Sequence, residues 1–119
     1  MTTPYLQNAL LRCTRSDDLA ALGFELTRDD LGLWVLELSE YESAENLAAE
    51  VKAVHQRLLA HQNLLPKLAS GSTDYTLHIT YVGEESDRLI LPPKLMLLAA
   101  QSGFQIEVYR WDFELEDAK

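Results

Sequence analysis

The side chains able to do chemistry in this chain are few: three histidines (His55, His61 and His78), one cysteine (Cys13), and carboxylates in pairs. The histidines sit in no His-Glu-x-x-His or comparable ligand spacing, so neither a dedicated metal site nor any cofactor is expected. His55 falls four residues after Val51 and three before Leu58, which makes it a core or border histidine of a helix. His78 lies among threonines in an alternating segment, as a surface residue or as part of a binding patch. A single cysteine excludes an internal disulfide, and the apolar neighbours of Cys13 favour a small buried hydrophobe over a nucleophile. Ser39, Ser43, Ser70, Ser72 and Ser86 lack the Gly-x-Ser-x-Gly elbow and read as caps and turns. The pairs Asp17-Asp18, Asp29-Asp30 and Glu84-Glu85 lack calcium-loop spacing, and adjacent side chains in a turn diverge, so they read as solvated turns. No glycine-rich phosphate loop is present. No catalytic residue is expected.

Charge is the strongest global signal. Nineteen acidic residues against ten basic ones give the 119-residue chain a formal net charge of −9. Such a field repels nucleic acid and anionic lipid, and steers a basic protein partner inward at low salt. With no basic and apolar leader, no membrane-length apolar run and a lone cysteine, the expected compartment is the cytoplasm. The length suits one domain, 1–119, ending in a short acidic tail over 114–119.

The elements that position these groups follow from hydrophobic spacing. Asn8 to Thr14 allows a strand, although propensity alone makes Tyr5 to Cys13 as readily a helix. Ser16 can cap a short helix through Leu22, stopped by Gly23. Leu33 to Leu38 reads as a strand after a turn. Ser43 reads as the cap of a helix from Ala44 to about His61, whose Leu47, Val51, Val54 and Leu58 share one stripe. Leu64, Leu65 and Leu68 suggest a further helical turn. Tyr75 to Val82 alternates as a strand, Gly83 to Asp87 turns, and Arg88 to Leu91 reads as a brief pairing segment. Pro92-Pro93 opens a helix from Lys94 to Ser102, closed by Gly103. Phe104 to Tyr109 alternates as the last strand.

This order predicts an α+β fold: a small, mostly antiparallel sheet of four to five strands with two main helices packed on one face. Trp34, Leu36, Leu38, Leu77, Ile79, Phe104, Ile106 and Val108 would point at the helices. The opposite face would then gather Leu33, Val35, Glu37, Thr76, His78, Thr80, Val82, Glu107, Tyr109 and Trp111, unless the first strand or the tail covers it. Of these, Val35, Glu37, His78, Glu107, Tyr109 and Trp111 form the candidate partner-binding set, because aromatic residues are enriched at protein contacts.

From Trp34 onward the chain resembles a bacterial family catalogued as domain of unknown function 4279. The resemblance rests on the segment Trp34 to Ser39, the acidic amphipathic helix carrying Glu45, Leu47, Val51, Leu58 and Leu59, and above all Leu91 to Tyr109. That last segment runs through an apolar stretch, two prolines, a Leu-rich helix, Gly103 and a closing strand. The resemblance covers mainly residues 33–111 and implies an α/β sandwich with no assigned activity. By size and charge the chain is also similar to immunity-type antitoxins, which implies a protein partner. A homodimer that buries the same patch, and a small-ligand site or enzyme using His55 or His78, are the alternative expectations.

Overall fold

The computed structural model describes residues 3–15, 18–39 and 46–112. The first strand, β1 (Tyr5–Thr14), is ten residues long. Its buried positions Ala9, Leu11 and Cys13 recur every second residue, a period no helix face can share. The helical alternative for Tyr5 to Cys13 therefore falls. Gly23, at φ 91°, closes a 3₁₀ turn over Ala20–Leu22; the proposed Ser16 cap lies outside the described residues.

Strand β2 (Glu25–Arg28) was not anticipated; all four of its residues are exposed, so it carries no hydrophobic signal. A second 3₁₀ turn, Asp29–Leu31, leads into β3 (Leu33–Glu37). Gly32 between them has φ 62°, and a Cβ there would lie 2.6 Å from the carbonyl oxygen of Arg15. Only glycine fits that crossing.

Helix α1 (Leu47–Leu59) is capped by Asn46, whose side chain accepts from the Ala49 amide at 2.9 Å; Ser43 lies outside the described residues. Its stripe of Leu47, Val51, Val54 and Leu58 is buried as expected. Each such side chain contributes on the order of 1.5–3 kcal/mol. The short α2 (Leu65–Ala69) follows, and the Arg15 guanidinium donates to the carbonyls of Lys67, Leu68 and Ser70 at its end. These are the carbonyls a helix leaves without intrahelical partners.

Strand β4 (Tyr75–Val82), helix α3 (Pro93–Ser102) and strand β5 (Gln105–Trp111) complete the chain. Pro93 opens α3 and Gly103, at φ 84°, ends it. Arg88 to Leu91 forms no strand, which corrects that expectation; Ile90 within it is 76% exposed.

The strand order is β2-β3-β1-β4-β5. Three pairings are antiparallel, and β4 with β5 is parallel. The result is an α+β fold in which a five-stranded mixed sheet carries its helices on one face. Trp34, Leu11, Cys13, Leu77 and Ile79 point into the helix layer with Val51, Val54, Leu58, Leu65 and Leu95. The Tyr75 hydroxyl donates to the Leu65 carbonyl at 2.7 Å, and its ring meets Phe104 edge to face at 5.6 Å. His55 is buried in this layer; burial, with Lys94 nearby, lowers its pKa from the usual 6.5. The Cys13 thiol is buried and pushed up to about 11 by that burial, Arg15 opposing and Asp74 assisting, which leaves it without thiolate chemistry at neutral pH.

Candidate functional site

The register assigns each strand residue to a face. Leu11 opposes Leu36 and Leu77, so the intervening Leu10 and Arg12 face away from the helices, as do Glu37, Val35, His78 and Thr76, their partners. The expected parity holds on β3, β4 and β5. Among the described residues the first strand does not cover this open face; it lies in the middle of the sheet and adds Asn8, Leu10, Arg12 and Thr14 to it, and the tail over 114–119 lies outside those residues.

Five rows cross the open face, the outermost being Arg28, Leu33 and Thr14. Glu37, Leu10, His78 and Glu107 form one; Glu25, Val35, Arg12, Thr76 and Gln105 form the next. Asn8, Thr80 and Tyr109 form a third, and Tyr5, Val82 and Trp111 a fourth. Of the six candidate residues, His78, Glu107 and Tyr109 come together. The His78 and Tyr109 rings stack with centroids 4.8 Å apart and planes at 25°. Glu107 Oε2 lies 3.9 Å from His78 Nδ1 and accepts from the Tyr109 hydroxyl at 3.3 Å. His78 Nε2 and Thr80 Oγ1 share a hydrogen bond at 3.2 Å.

The other three stand apart. Glu37 is separated from His78 by the whole of β1, about 10 Å at the usual strand spacing, and holds the Ser39 hydroxyl. Val35 lies in the Arg12 row on β3, and Trp111 ends β5 beside Val82, with β4 and β1 between its strand and the strand of Glu37.

Two residues outside the candidate set complete the cluster. Arg12 places Nε 3.0 Å from Asp74 Oδ2, an ion pair rather than an aligned hydrogen bond, and Nη2 3.7 Å from Glu107 Oε2. Asp74 also accepts from the Thr76 hydroxyl at 2.7 Å. A charged residue alternating with Leu11 and Cys13 signals a strand with one solvent face, so Arg12 was findable once β1 was read as a strand. Asp74 precedes β4 in a loop and left no such trace.

Chemically the cluster is a rigid polar floor with one raised aromatic. Tyr109 is 48% exposed, while Thr76 and Thr80 beneath it are buried. Carboxylates outnumber cations on the face: Glu25, Glu37, Asp74 and Glu107 against Arg12 and Arg28. Among the described residues, no group of three or more His, Cys, Asp or Glu side chains is arranged to hold a metal ion, and no helix is long and apolar enough to cross a membrane. Comparison of the chain with protein-family models, curated proteins and solved structures finds no match in any of the three.

Proposed function

We propose that the protein is a non-catalytic, cytoplasmic binding module whose open sheet face receives a basic protein partner. The observation that carries this reading is Tyr109, half exposed yet fixed by its stack on His78 and its bond to Glu107. An aromatic side chain held in one orientation forms a contact with little further loss of freedom, which is how anchor residues at interfaces act. The carboxylate excess around it, together with the chain's charge of −9, matches a partner presenting lysine and arginine. Guanidinium groups suit such a surface because they bond carboxylates and lie flat on aromatic rings.

An NMR titration with an arginine-rich oligopeptide tests the reading. Shifts should concentrate at Arg12, His78, Glu107 and Tyr109, weaken with salt, and diminish strongly in Tyr109→Ala. Shifts spread evenly over the acidic turns and unaltered by Tyr109→Ala would overturn it.

A further inference from the structure

The two edges of the sheet are unequal. At one edge β2 is four residues long and its register with β3 shifts between Leu26 and Arg28. Short, bulged edges resist pairing with other chains. At the other edge β5 is seven residues long, pairs with β4 without a register shift, and contains neither proline nor lysine.

The direction of its backbone groups follows from one bond. The Trp111 carbonyl accepts from the Gly83 amide at 2.9 Å, so Trp111 turns its backbone toward β4. In a parallel ladder this orientation alternates, so Glu107 and Tyr109 also face β4, while Ile106, Val108 and Arg110 aim their N–H and C=O groups outward. Among the described residues no strand lies on that side.

We infer that β5 pairs antiparallel with β5 of a second copy of this chain, about a two-fold axis at Val108, to make a continuous ten-stranded sheet. The outward groups fit that symmetry. Val108 exchanges both backbone hydrogen bonds with its mate, and Ile106 and Arg110 exchange theirs across the axis. Glu107 meets the second copy's Tyr109 hydroxyl, the same contact these two make within one chain. A register two residues shorter would oppose Glu107 to itself, which like-charge repulsion disfavours. On the helix side Val108 is 41% exposed for an inward-facing strand residue, which self-pairing would correct.

Helix α3 supplies area beyond the strand. It packs on α2 and β5, at this same end of the molecule, and exposes Met96 (49%) and Leu97 (56%). A stable interface takes about 800 Å² from each partner, more than a strand edge alone presents.

The experiment is disulfide trapping with sedimentation. Cys13 is fully buried, so it stays silent and each introduced thiol reports alone. Hydrogen-bonded antiparallel partners have Cα atoms about 5.5 Å apart, inside the disulfide range of about 4.4–6.8 Å. Val108→Cys should therefore cross-link to a dimer on mild oxidation, at least tenfold faster than Leu26→Cys on the opposite edge. The unmodified chain should sediment as a dimer whose dissociation constant falls as salt screens two acidic chains. Val108→Pro should sediment as a monomer with unchanged circular dichroism, since the N–H it removes points outward. A Val108→Lys variant gives the same readout should proline unfold the strand.

A chain that stays monomeric at high concentration, or equal trapping of Leu26→Cys, overturns the inference. Faster trapping of Tyr109→Cys than Val108→Cys overturns the register. Salt separates this association from the basic-partner reading, because it strengthens self-pairing and weakens binding of the arginine-rich peptide.

Discussion

The two faces of the one sheet are built from alternate residues of the same strands, yet they obey different rules. On the helix side Leu11, Leu77 and Ile79 are at most 1% exposed and packed by α1, α2 and α3. On the open side their immediate neighbours Leu10, Arg12 and His78 are half-buried, and the two polar ones are held by Asp74 and Thr80 respectively. The difference teaches where free energy resides. The covered face supplies the stability of the fold, and the open face can vary its chemistry at small cost to that stability.

The largest effect is expected from cutting the covered face. Leu77→Ala deletes a fully buried side chain opposite Leu11 and Ile106, and should lower unfolding free energy by about 3–5 kcal/mol. Leu10→Ala, one residue from Leu11 but on the open side, should cost about 1 kcal/mol. Urea midpoints of the two variants measure the asymmetry directly, and equal losses would show that the open face is covered in solution.

Tyr75→Phe is next. It keeps the ring against Phe104 but leaves the buried Leu65 carbonyl without its donor, at a cost of about 1–2 kcal/mol. The matching loss on the open side, Tyr109→Phe, removes a 3.3 Å bond at a half-exposed hydroxyl and should be neutral within about 0.5 kcal/mol.

The covered face also makes folding sensitive to acid. Burial lowers the pKa of His55, so the folded state favours the neutral ring while the unfolded chain takes up a proton near pH 6.5. Below that pH the unfolded state binds more protons than the native one, and stability falls as pH falls. Above it both states are neutral and the contribution is constant. His55→Gln removes the titration, so its unfolding free energy should lose part of the decline between pH 7 and pH 5 that the natural chain shows. An unchanged slope would assign the acid sensitivity to other groups, and not to Glu50, whose pKa burial raises while the Leu6 amide opposes, since a raised carboxyl pKa favours the native state as pH falls.

The sequence made the covered face readable and the open face only in part, for a physical reason. Leu47, Val51, Val54 and Leu58, and the alternation of Tyr75, Leu77 and Ile79, repeat the period of their element because one side must be apolar. The parity of β3, β4 and β5 follows, and with it the meeting of His78, Glu107 and Tyr109. Strand β1 hid because it is central: Leu6, Leu10 and Leu11 put apolar side chains on both faces, and its Leu, Gln, Ala and Arg favour helix by propensity. Hydrophobic spacing puts Glu37 and His78 on one face but does not reveal that β1 separates them or that β1 brings Arg12 into the cluster. Strand β2 hid because pairing, not burial, defines it.

The smallest stability effect carries the most information on the open face. Arg12 is bound to Asp74 and Glu107 with all three side chains partly solvated, so Arg12→Gln should change unfolding free energy by no more than about 0.5 kcal/mol. Its effect on binding should be larger and opposite in sign to that of a carboxylate change. Removing the guanidinium frees two carboxylates beside Tyr109, so the arginine-rich peptide should bind Arg12→Gln more tightly and Glu107→Gln more weakly, each by several-fold at low salt. Both shifts should shrink at high salt. If Arg12→Gln instead weakens binding, the guanidinium is itself a contact. The face then selects an acidic group on its partner, and the direction of the proposed charge match is reversed.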